Sequence, residues 1–188
     1  MPTDKSGWVV GKVIDSQAAA RGDSPFVQFE DGTPFTYRDA QVMSYRVGNA
    51  FQASGVEFGE NVAVMLNNCM EWLWCWFGLN RIGAVHVAIN TAYRGTFLTH
   101  VLVNAGSKVA VMDREYLAWL ADVEDTVPLV ETVYVPGEPL VESELPKFQR
   151  IKVRHFDELM AGPADPIDVP VTYRDIGMIM YTSDRKRT

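Results

Sequence analysis

Residues 61–90 decide the fold of this chain, and they read NVAVMLNNCMEWLWCWFGLNRIGAVHVAIN. Residues 62–66 and 85–89 form continuous apolar runs rich in β-branched side chains, typical of strands buried on both faces of a parallel sheet. Residues 69–82 are apolar nearly all round, as in a buried helix. The spacing of their three tryptophans could also fit a strand, but the length and the flanking runs favour a helix that crosses between parallel strands.

Polar residues and glycines mark the ends of these elements. Asn67 and Asn68 are expected to cap the central helix, and Gly83 to end it. The same alternation continues along the chain, with short connections between the elements. We expect helices over 96–105 and 115–121 and strands over 109–112, 131–135 and 175–181.

The segment before this unit predicts a hairpin followed by a helix. Asp31-Gly32 lies between two runs with partial alternation and is the strongest short hairpin signal in the chain. Thr36 resembles an N-cap, and Asp39 completes an approximate capping box. The spacing then predicts a helix over 37–53 that stops at Gly55. Its apolar face carries Ala40, Met43, Val47, Ala50 and Phe51.

These elements predict an α/β fold with a largely parallel sheet, flanking helices and an N-terminal β-hairpin. We divide the chain into an N-terminal extension over 1–24 and an α/β subdomain over 25–160. Residues 161–188 form the third part. They hold a proline-rich linker, the last strand and the beginning of a truncated phosphate loop.

Composition excludes several classes of function. The 188 residues carry a net charge of −7, which argues against nucleic-acid binding because such proteins present a basic surface. The longest apolar stretch is far shorter than the roughly 20 residues that span a bilayer. The first 16 residues lack the pattern of a signal peptide. Cys69 and Cys75 are expected to be reduced, buried thiols, so we expect a cytoplasmic protein.

The end of the chain indicates a phosphate-binding loop that is not completed. Tyr181-Thr182-Ser183 follows the last strand, as in many loops of this kind. Backbone amides can surround an anion only where glycines allow positive φ and close approach. Asp184 stands where a glycine is needed, and Arg185-Lys186-Arg187 offers only non-specific attraction.

Five blocks in this order resemble the AMP-forming acyl-CoA synthetases of the adenylate-forming superfamily. The most specific is WFGLNRIGAV at 76–85, followed by Ile89-Asn90-Thr91. The others are TYRD at 36–39, GVEFGENVAV at 55–64, GSKVAVMD at 106–113 and DIGMIMYTS at 175–183. The resemblance covers residues 27–183, and its texture is closest to ligases of the carnitine or medium-to-long-chain type.

The resemblance implies a ligase of fatty acid metabolism. Such an enzyme joins a carboxylic acid, ATP and CoA into acyl-CoA, AMP and pyrophosphate through an acyl-adenylate, with Mg²⁺. By resemblance, Tyr181, Thr182 and Ser183 belong to the ATP phosphate loop. The resemblance assigns no catalytic or metal residue to these 188 residues, because the family places those groups later. We therefore expect the chain alone to be inactive and to bind no cofactor tightly.

Two further interpretations stay open. The chain could be a non-catalytic scaffold or assembly module derived from a ligase, self-associating through exposed apolar surface. An unrelated nucleotide or flavin binder would need a glycine fingerprint after the first parallel strand, and residues 66–69 lack one.

The histidines and tryptophans favour structural roles. We expect His86 to be a satisfied core or interface histidine and His100 and His155 to be surface groups. We expect the tryptophans at 72, 74 and 76 to belong to the core.

Overall fold

The computed structural model describes residues 5–29 and 32–181 and shows an α/β fold around a parallel sheet. The strands are β1 (Pro25–Val27), β2 (Phe35–Thr36), β3 (Asn61–Met65), β4 (Val85–Ala88), β5 (Val109–Met112), β6 (Thr132–Val135), β7 (Lys152–His155) and β8 (Met178–Met180). The helices are α1 (Val10–Arg21), α2 (Tyr37–Ala53), α3 (Met70–Arg81), α4 (Gly95–Ala105), α5 (Leu117–Asp122) and α6 (Asp157–Met160). Short 3₁₀ helices lie at Arg114–Tyr116, Glu124–Thr126 and Glu142–Glu144.

Six strands form the main sheet in the order β7-β6-β5-β3-β4-β8, and every neighbouring pair is parallel. The central strand β3 places Val62 opposite His86 of β4 and Val109 of β5. Strands β1 and β2 form a separate antiparallel pair. The predicted fold class is therefore confirmed, including the N-terminal hairpin, although Asp31 of its turn lies outside the described residues.

The sheet separates two apolar cores. On one face α2 and α3 bury Phe51, Trp74 and Leu79 against the sheet. On the other face α4 and α5 bury Leu98 and Leu117 in a second cluster with residues of β3, β5 and β6. Coverage on both faces explains why the strands read as continuous apolar runs, as parallel sheets require.

Helix α2 begins and ends where the sequence predicts. Thr36 accepts the Asp39 amide at 3.1 Å, and the Asp39 carboxylate accepts the Thr36 amide at 2.8 Å, which completes the capping box. The buried face includes Ala40, Val47 and Phe51. The chain then turns through Gly55, whose φ of 92° is in the left-handed region.

Helices α2 and α3 cross at very close range. A Cβ on Gly78 would lie 2.8 Å from Cγ1 of Val47 and 2.9 Å from the backbone nitrogen of Gly48. A Cβ on Gly48 would lie 3.0 Å from the carbonyl oxygen of Gly78 and 2.7 Å from Cδ1 of Ile167. Glycine is therefore required on both helices, because any larger side chain would force them apart.

Helix α1, which the sequence did not predict, is tied to this pair through Arg81. The Arg81 guanidinium donates to both Asp15 carboxylate oxygens, at 2.6 and 2.8 Å, and its Nε donates to Ser44 at 2.8 Å. It also lies 3.9 Å from the ring centre of Tyr45. Burial alone would raise the pKa of Asp15, but hydrogen bonds from Arg81 and Gln41 hold it below its usual range.

One local expectation is wrong, and another is confirmed with a tighter first turn. Cys69, not an asparagine, is the N-cap of α3, and it makes no side-chain capping bond. The side-chain amide of Asn67 instead donates to Asp113 and Glu115 in the loop after β5. Its side chain therefore bonds to that loop and does not cap α3. The helix expected over 115–121 is a 3₁₀ turn followed by α5.

The proline-rich segment after α6 has no helix or strand, but it packs against α2. The Asn49 amide donates to the carbonyls of Pro163 and Asp165, both at 2.9 Å, and Ile167 covers Gly48. The division of the chain at residues 24 and 160 stays a prediction. Both α1 and the proline-rich segment pack against α2.

Replacing Arg81 tests the ion pair that holds α1. Arg81→Ala should lower the free energy of unfolding by about 2 kcal/mol, because it removes the buried guanidinium that donates hydrogen bonds to the half-buried Asp15 and to Ser44. Chemical denaturation measures this difference. Arg38→Ala is the control, since Arg38 forms its ion pair with Asp23 in solvent and exposed pairs contribute little. Equal destabilisation by both variants would contradict this role of Arg81.

Candidate functional site at the carboxyl edge of the sheet

All six parallel strands end at one edge, which we call the carboxyl edge. In open α/β sheets ligands bind outside this edge. The loops that leave it begin at Leu66 after β3, Ile89 after β4 and Asp113 after β5, and Tyr181 follows β8 directly. The predicted phosphate-loop residue Tyr181 therefore starts on the side of the sheet where a ligand is expected.

Asn80 anchors the strand that delivers Tyr181. Its side-chain amide donates to the Gly177 carbonyl at 2.8 Å, and the same carbonyl accepts the His86 amide at 3.2 Å. A Cβ on Gly177 would lie 2.6 Å from Oδ1 of Asn80. This contact links α3 to the beginning of β8. Sequence reasoning missed Asn80, although a lone amide in the last turn of an apolar helix is a signal for a buried hydrogen bond.

Strand β8 is held along its whole length by β4. Val87 lies opposite Ile179, and Ala88 lies opposite Met180. Tyr181 is half-buried and packs with Ile179 against Val85 and Val87. Its ring thus contributes to the core, while Thr182 and Ser183 lie outside the described residues.

A polar cluster occupies the edge between β3 and β5, where the direction of winding reverses. The backbone and side-chain amides of Asn67 donate to Asp113 at 2.8 and 3.0 Å, and the side-chain amide also reaches Glu115 at 3.0 Å. The Tyr116 hydroxyl donates to Asn67 at 3.1 Å. Burial, with a further contribution from Glu115, raises the pKa of Asp113. Two carboxylates here disfavour a phosphate group at this part of the edge.

His86 is fully buried in β4, but the expectation that its hydrogen bonds are satisfied is wrong. Neither ring nitrogen has a partner among the described residues, and the ring lies 4.6 Å from that of Trp72. Burial lowers the pKa of His86 to about 3. The imidazole is therefore neutral at physiological pH. His100 is exposed as expected, whereas His155 is half-buried and contacts the Gly137 carbonyl at 2.9 Å.

The cysteines and tryptophans of this region are wholly or partly buried and have packing roles. Burial raises the pKa of Cys69 to about 12 and that of Cys75 well above its usual value, so neither thiol is activated. Both are free of disulfides. Trp74 is buried, while Trp72 and Trp76 are half-buried, so the prediction of three core tryptophans holds fully only for Trp74.

A family described as AMP-binding enzyme matches residues 14–183. The chain belongs to this family. The match includes the last strand and the residues predicted to open the phosphate loop. The resemblance found in the sequence blocks is thereby confirmed.

The relatives with curated names include CoA ligases of Citrobacter and Salmonella. The crotonobetaine/carnitine–CoA ligase of Citrobacter koseri is 29% identical over 90% of this chain and 33% of its own length. The enzyme of the same name from Salmonella agona is 27% identical over the same shares. The chain thus spans about a third of the length of the curated relatives it matches.

Solved structures share the AMP-binding fold. The anthranilate CoA ligase AuaEII in complex with anthranoyl-AMP matches with a TM-score of 0.82 and 23% identity, over 94% of this chain and 32% of that one. The N-terminal domain of FACL13 from Mycobacterium tuberculosis matches with a TM-score of 0.78 and 22% identity, over 94% and 42%. At these identities the likeness shows the fold.

The described residues do not fit a metal site. Within residues 5–29 and 32–181, no three His, Cys, Asp or Glu side chains are grouped so that they could hold a metal ion. In the same residues no helix has the length and apolar character needed to cross a membrane.

Asn80→Ala tests the anchor of β8. Losing one buried hydrogen bond should destabilise the strand by about 1 kcal/mol, so amide exchange at residues 178–180 should accelerate roughly fivefold. Hydrogen–deuterium exchange resolved by peptide measures this. Asn104→Ala, at an exposed position on α4, should leave that peptide unchanged. Unaltered exchange in Asn80→Ala would show that β8 does not depend on Asn80.

His86→Leu should reduce the loss of folding stability at acidic pH. The folded pKa lies below the unfolded value near 6.5, so protonation favours unfolding as pH falls below about 6.5, and increasingly down to about pH 3. At pH 4 the penalty is about 3 kcal/mol. Denaturation at pH 7 and pH 4 measures it. His100→Leu should retain the acid sensitivity, and the same retention in His86→Leu would refute the assignment.

Proposed function

We propose that this chain is part of an ATP-dependent, AMP-forming acyl-CoA ligase, and that the 188 residues alone do not catalyse the reaction. The parent enzyme would condense a carboxylic acid with ATP to an acyl-adenylate and pyrophosphate, then transfer the acyl group to CoA and release AMP. The named relatives are CoA ligases, which supports this reaction class.

One observation carries the proposal for the site. Strand β8 runs parallel to β4, is anchored by Asn80, and delivers Tyr181 at the carboxyl edge. A loop starting there could wrap phosphate oxygens with backbone amides, provided that glycines follow. We propose that Tyr181, Thr182 and Ser183 begin such a loop, with Tyr181 fixing its position through packing.

The same sequence explains why we propose an inactive chain. Asp184 follows Ser183 where the loop needs a glycine, and a carboxylate beside a polyphosphate repels it. Joining two anions, a carboxylate and ATP, demands concentrated positive charge and oriented donors. The described residues of the carboxyl edge instead include the carboxylates Asp113 and Glu115.

The relatives suggest the substrate class of the parent enzyme. Because two of them are named crotonobetaine/carnitine–CoA ligase, we propose a carnitine-like or medium-to-long-chain carboxylic acid. We also propose a cytoplasmic location and a role in fatty acid metabolism. The free, unactivated thiols Cys69 and Cys75 fit a reducing compartment.

A second candidate function is an assembly module without catalysis. It is favoured by the edge strand β8, around which Ile176 and Met180 are 63% and 69% exposed. Among the described residues no strand pairs with the outer edge of β8, and such an edge with apolar side chains is a site for association. Sedimentation velocity separates the alternatives, because a stable oligomer supports the module and a monomer argues against self-association.

The purified chain should neither bind ATP–Mg²⁺ tightly nor convert a carboxylic acid to its acyl-adenylate. Calorimetric titration with ATP–Mg²⁺ should give no binding tighter than millimolar, because the phosphate loop lacks its glycines. Trapping with hydroxylamine should detect no acyl-adenylate from crotonobetaine, carnitine or decanoate. A full-length crotonobetaine/carnitine–CoA ligase is the positive control. Micromolar ATP affinity or hydroxamate formation by this chain would overturn the proposed inactivity.

The relationship to a ligase is tested separately at the gene. The DNA that follows codon 188 should encode, in one of its three frames, a loop rich in Gly, Thr and Ser with a Lys. Unrelated sequence in all three frames would argue against a parent ligase without affecting the binding results.

A further inference from the structure

A cavity of about 640 Å³ lies between the β1–β2 pair, α2, α6 and the beginning of α3. Its volume is within the range of small-molecule sites, which are mostly apolar with few polar groups. The apolar part of its wall consists of Phe29, Phe35, Met43, Met70, Trp74 and Met160. Neither Tyr181 nor Asp113 lines it, so the cavity is distinct from the candidate site at the carboxyl edge.

Aromatic rings and thioethers make this wall both defined and adaptable. The rings of Phe35 and Trp74 lie 5.4 Å apart in an edge-to-face arrangement, and burial of Trp74 fixes them in place. Met43 and Met160 are half-buried, and methionine side chains adjust to the shape of a ligand. Aromatic rings in a cavity wall also favour a cation over an anion, because the face of each ring is negative.

Glu71 is the only charged side chain in the wall of this cavity, among the residues that the structure describes. The carboxylate is half-buried in the first turn of α3, beside the Cys69 thiol, which lines the same wall. Within residues 5–29 and 32–181 it forms no ion pair with Lys, Arg or His. The N-terminus of α3 stabilises a carboxylate at this position. The negative charge of Glu71 is therefore available to a ligand.

We propose that this cavity binds an apolar organic cation, with its aromatic or branched body against the rings and methionines and its ammonium group at the Glu71 carboxylate. An ammonium group would give Glu71 a charge-assisted hydrogen bond in a partly desolvated position. An anionic ligand would be repelled by the same carboxylate, and a neutral ligand would leave it unpaired. The inference does not rest on the proposed ligase activity, because no residue of the phosphate loop takes part.

Three ligands that share a phenylpropyl body separate the effect of charge from that of apolar surface. They are 4-phenylbutylammonium, 4-phenylbutanol and 4-phenylbutyrate, and calorimetric titration of the full 188-residue chain at pH 7 gives their affinity and stoichiometry. The ammonium ligand should bind as one molecule and about tenfold more tightly than the alcohol, with the carboxylate weakest. Equal affinity for the three ligands, or no binding of the ammonium ligand, would overturn the proposal.

Glu71→Gln tests the head-group contact with little change of shape. It should weaken the ammonium ligand about tenfold and leave 4-phenylbutanol unchanged, because only the charged ligand uses the carboxylate. Glu57→Gln is the matched control, since Glu57 is exposed and precedes β3, whereas Glu71 follows that strand. Ammonium binding that is indifferent to Glu71→Gln, or that Glu57→Gln weakens equally, would refute a site at Glu71.

Alkylation of Cys69 locates the ligand in the unmodified fold. Cys69 lines the cavity and is half-buried, whereas Cys75 is fully buried. A concentration of 4-phenylbutylammonium about four times its Kd should slow the reaction of Cys69 with N-ethylmaleimide about fivefold, because only the unliganded fraction reacts. Mass spectrometry of the Cys69 peptide measures this rate. An unchanged rate at saturating ligand would place the ligand elsewhere.

A cavity-filling variant tests the same location by a second route. Met160→Trp places an indole in the cavity from a half-buried position on α6 and should block the ammonium ligand and the alcohol alike. Met43→Phe provides a smaller block if the first variant unfolds. Undiminished binding by a folded cavity-filling variant would refute the site. None of these outcomes affects the ATP and adenylation results, so the two proposals fail independently.

Discussion

The packing of helices on one side of the sheet depends on the close crossing of α2 over α3 at Gly48 and Gly78. With both helices fixed, the last turn of α3 has a defined position over the sheet. Two consecutive residues of that turn then fasten distant parts of the chain. Arg81 binds Asp15 of α1, and Asn80 binds Gly177 at the beginning of β8. One helix end thus organises both the N-terminal helix and the strand that leads to the candidate site.

The sequence predicted those elements whose local signals agree with their tertiary environment. Helix α2 has a capping box, an apolar face and a glycine stop, so its bounds were found. Strands β3 and β4 are buried on both faces and read as β-branched runs. Helix α1 was missed because its buried positions, Gly11, Ile14 and Ala18, are mostly small and give a weak helical pattern. Strand β7 was missed because Lys152–His155 is a charged strand at the sheet edge.

At the candidate site, the sequence alone did not predict contacts between residues that are far apart in the chain. The resemblance predicts a role for Tyr181 because the residues around it form a recognisable block, and the family match over 14–183 includes that block. Nothing in the local sequence relates Asn80 to Gly177, since the hydrogen bond joins residues almost 100 positions apart. The role of Asn67 was likewise misjudged, because its carboxylate partners come from the loop after another strand. His86 was rightly placed in the core, but only three-dimensional packing reveals that its nitrogens lack partners.

The order of strands in the sheet has a consequence for synthesis on the ribosome. Strands β3, β4 and β5 are close in sequence and can pair while later residues are still being made. Strand β8 pairs with β4 only after roughly 90 more residues have been added, and closing so long a loop carries a larger entropic cost than the earlier pairings. Until β8 has been synthesised, the edge of β4 that pairs with it therefore has no strand partner during translation. Strand β8, which leads to the proposed phosphate loop, is therefore the last of the described strands to join the sheet.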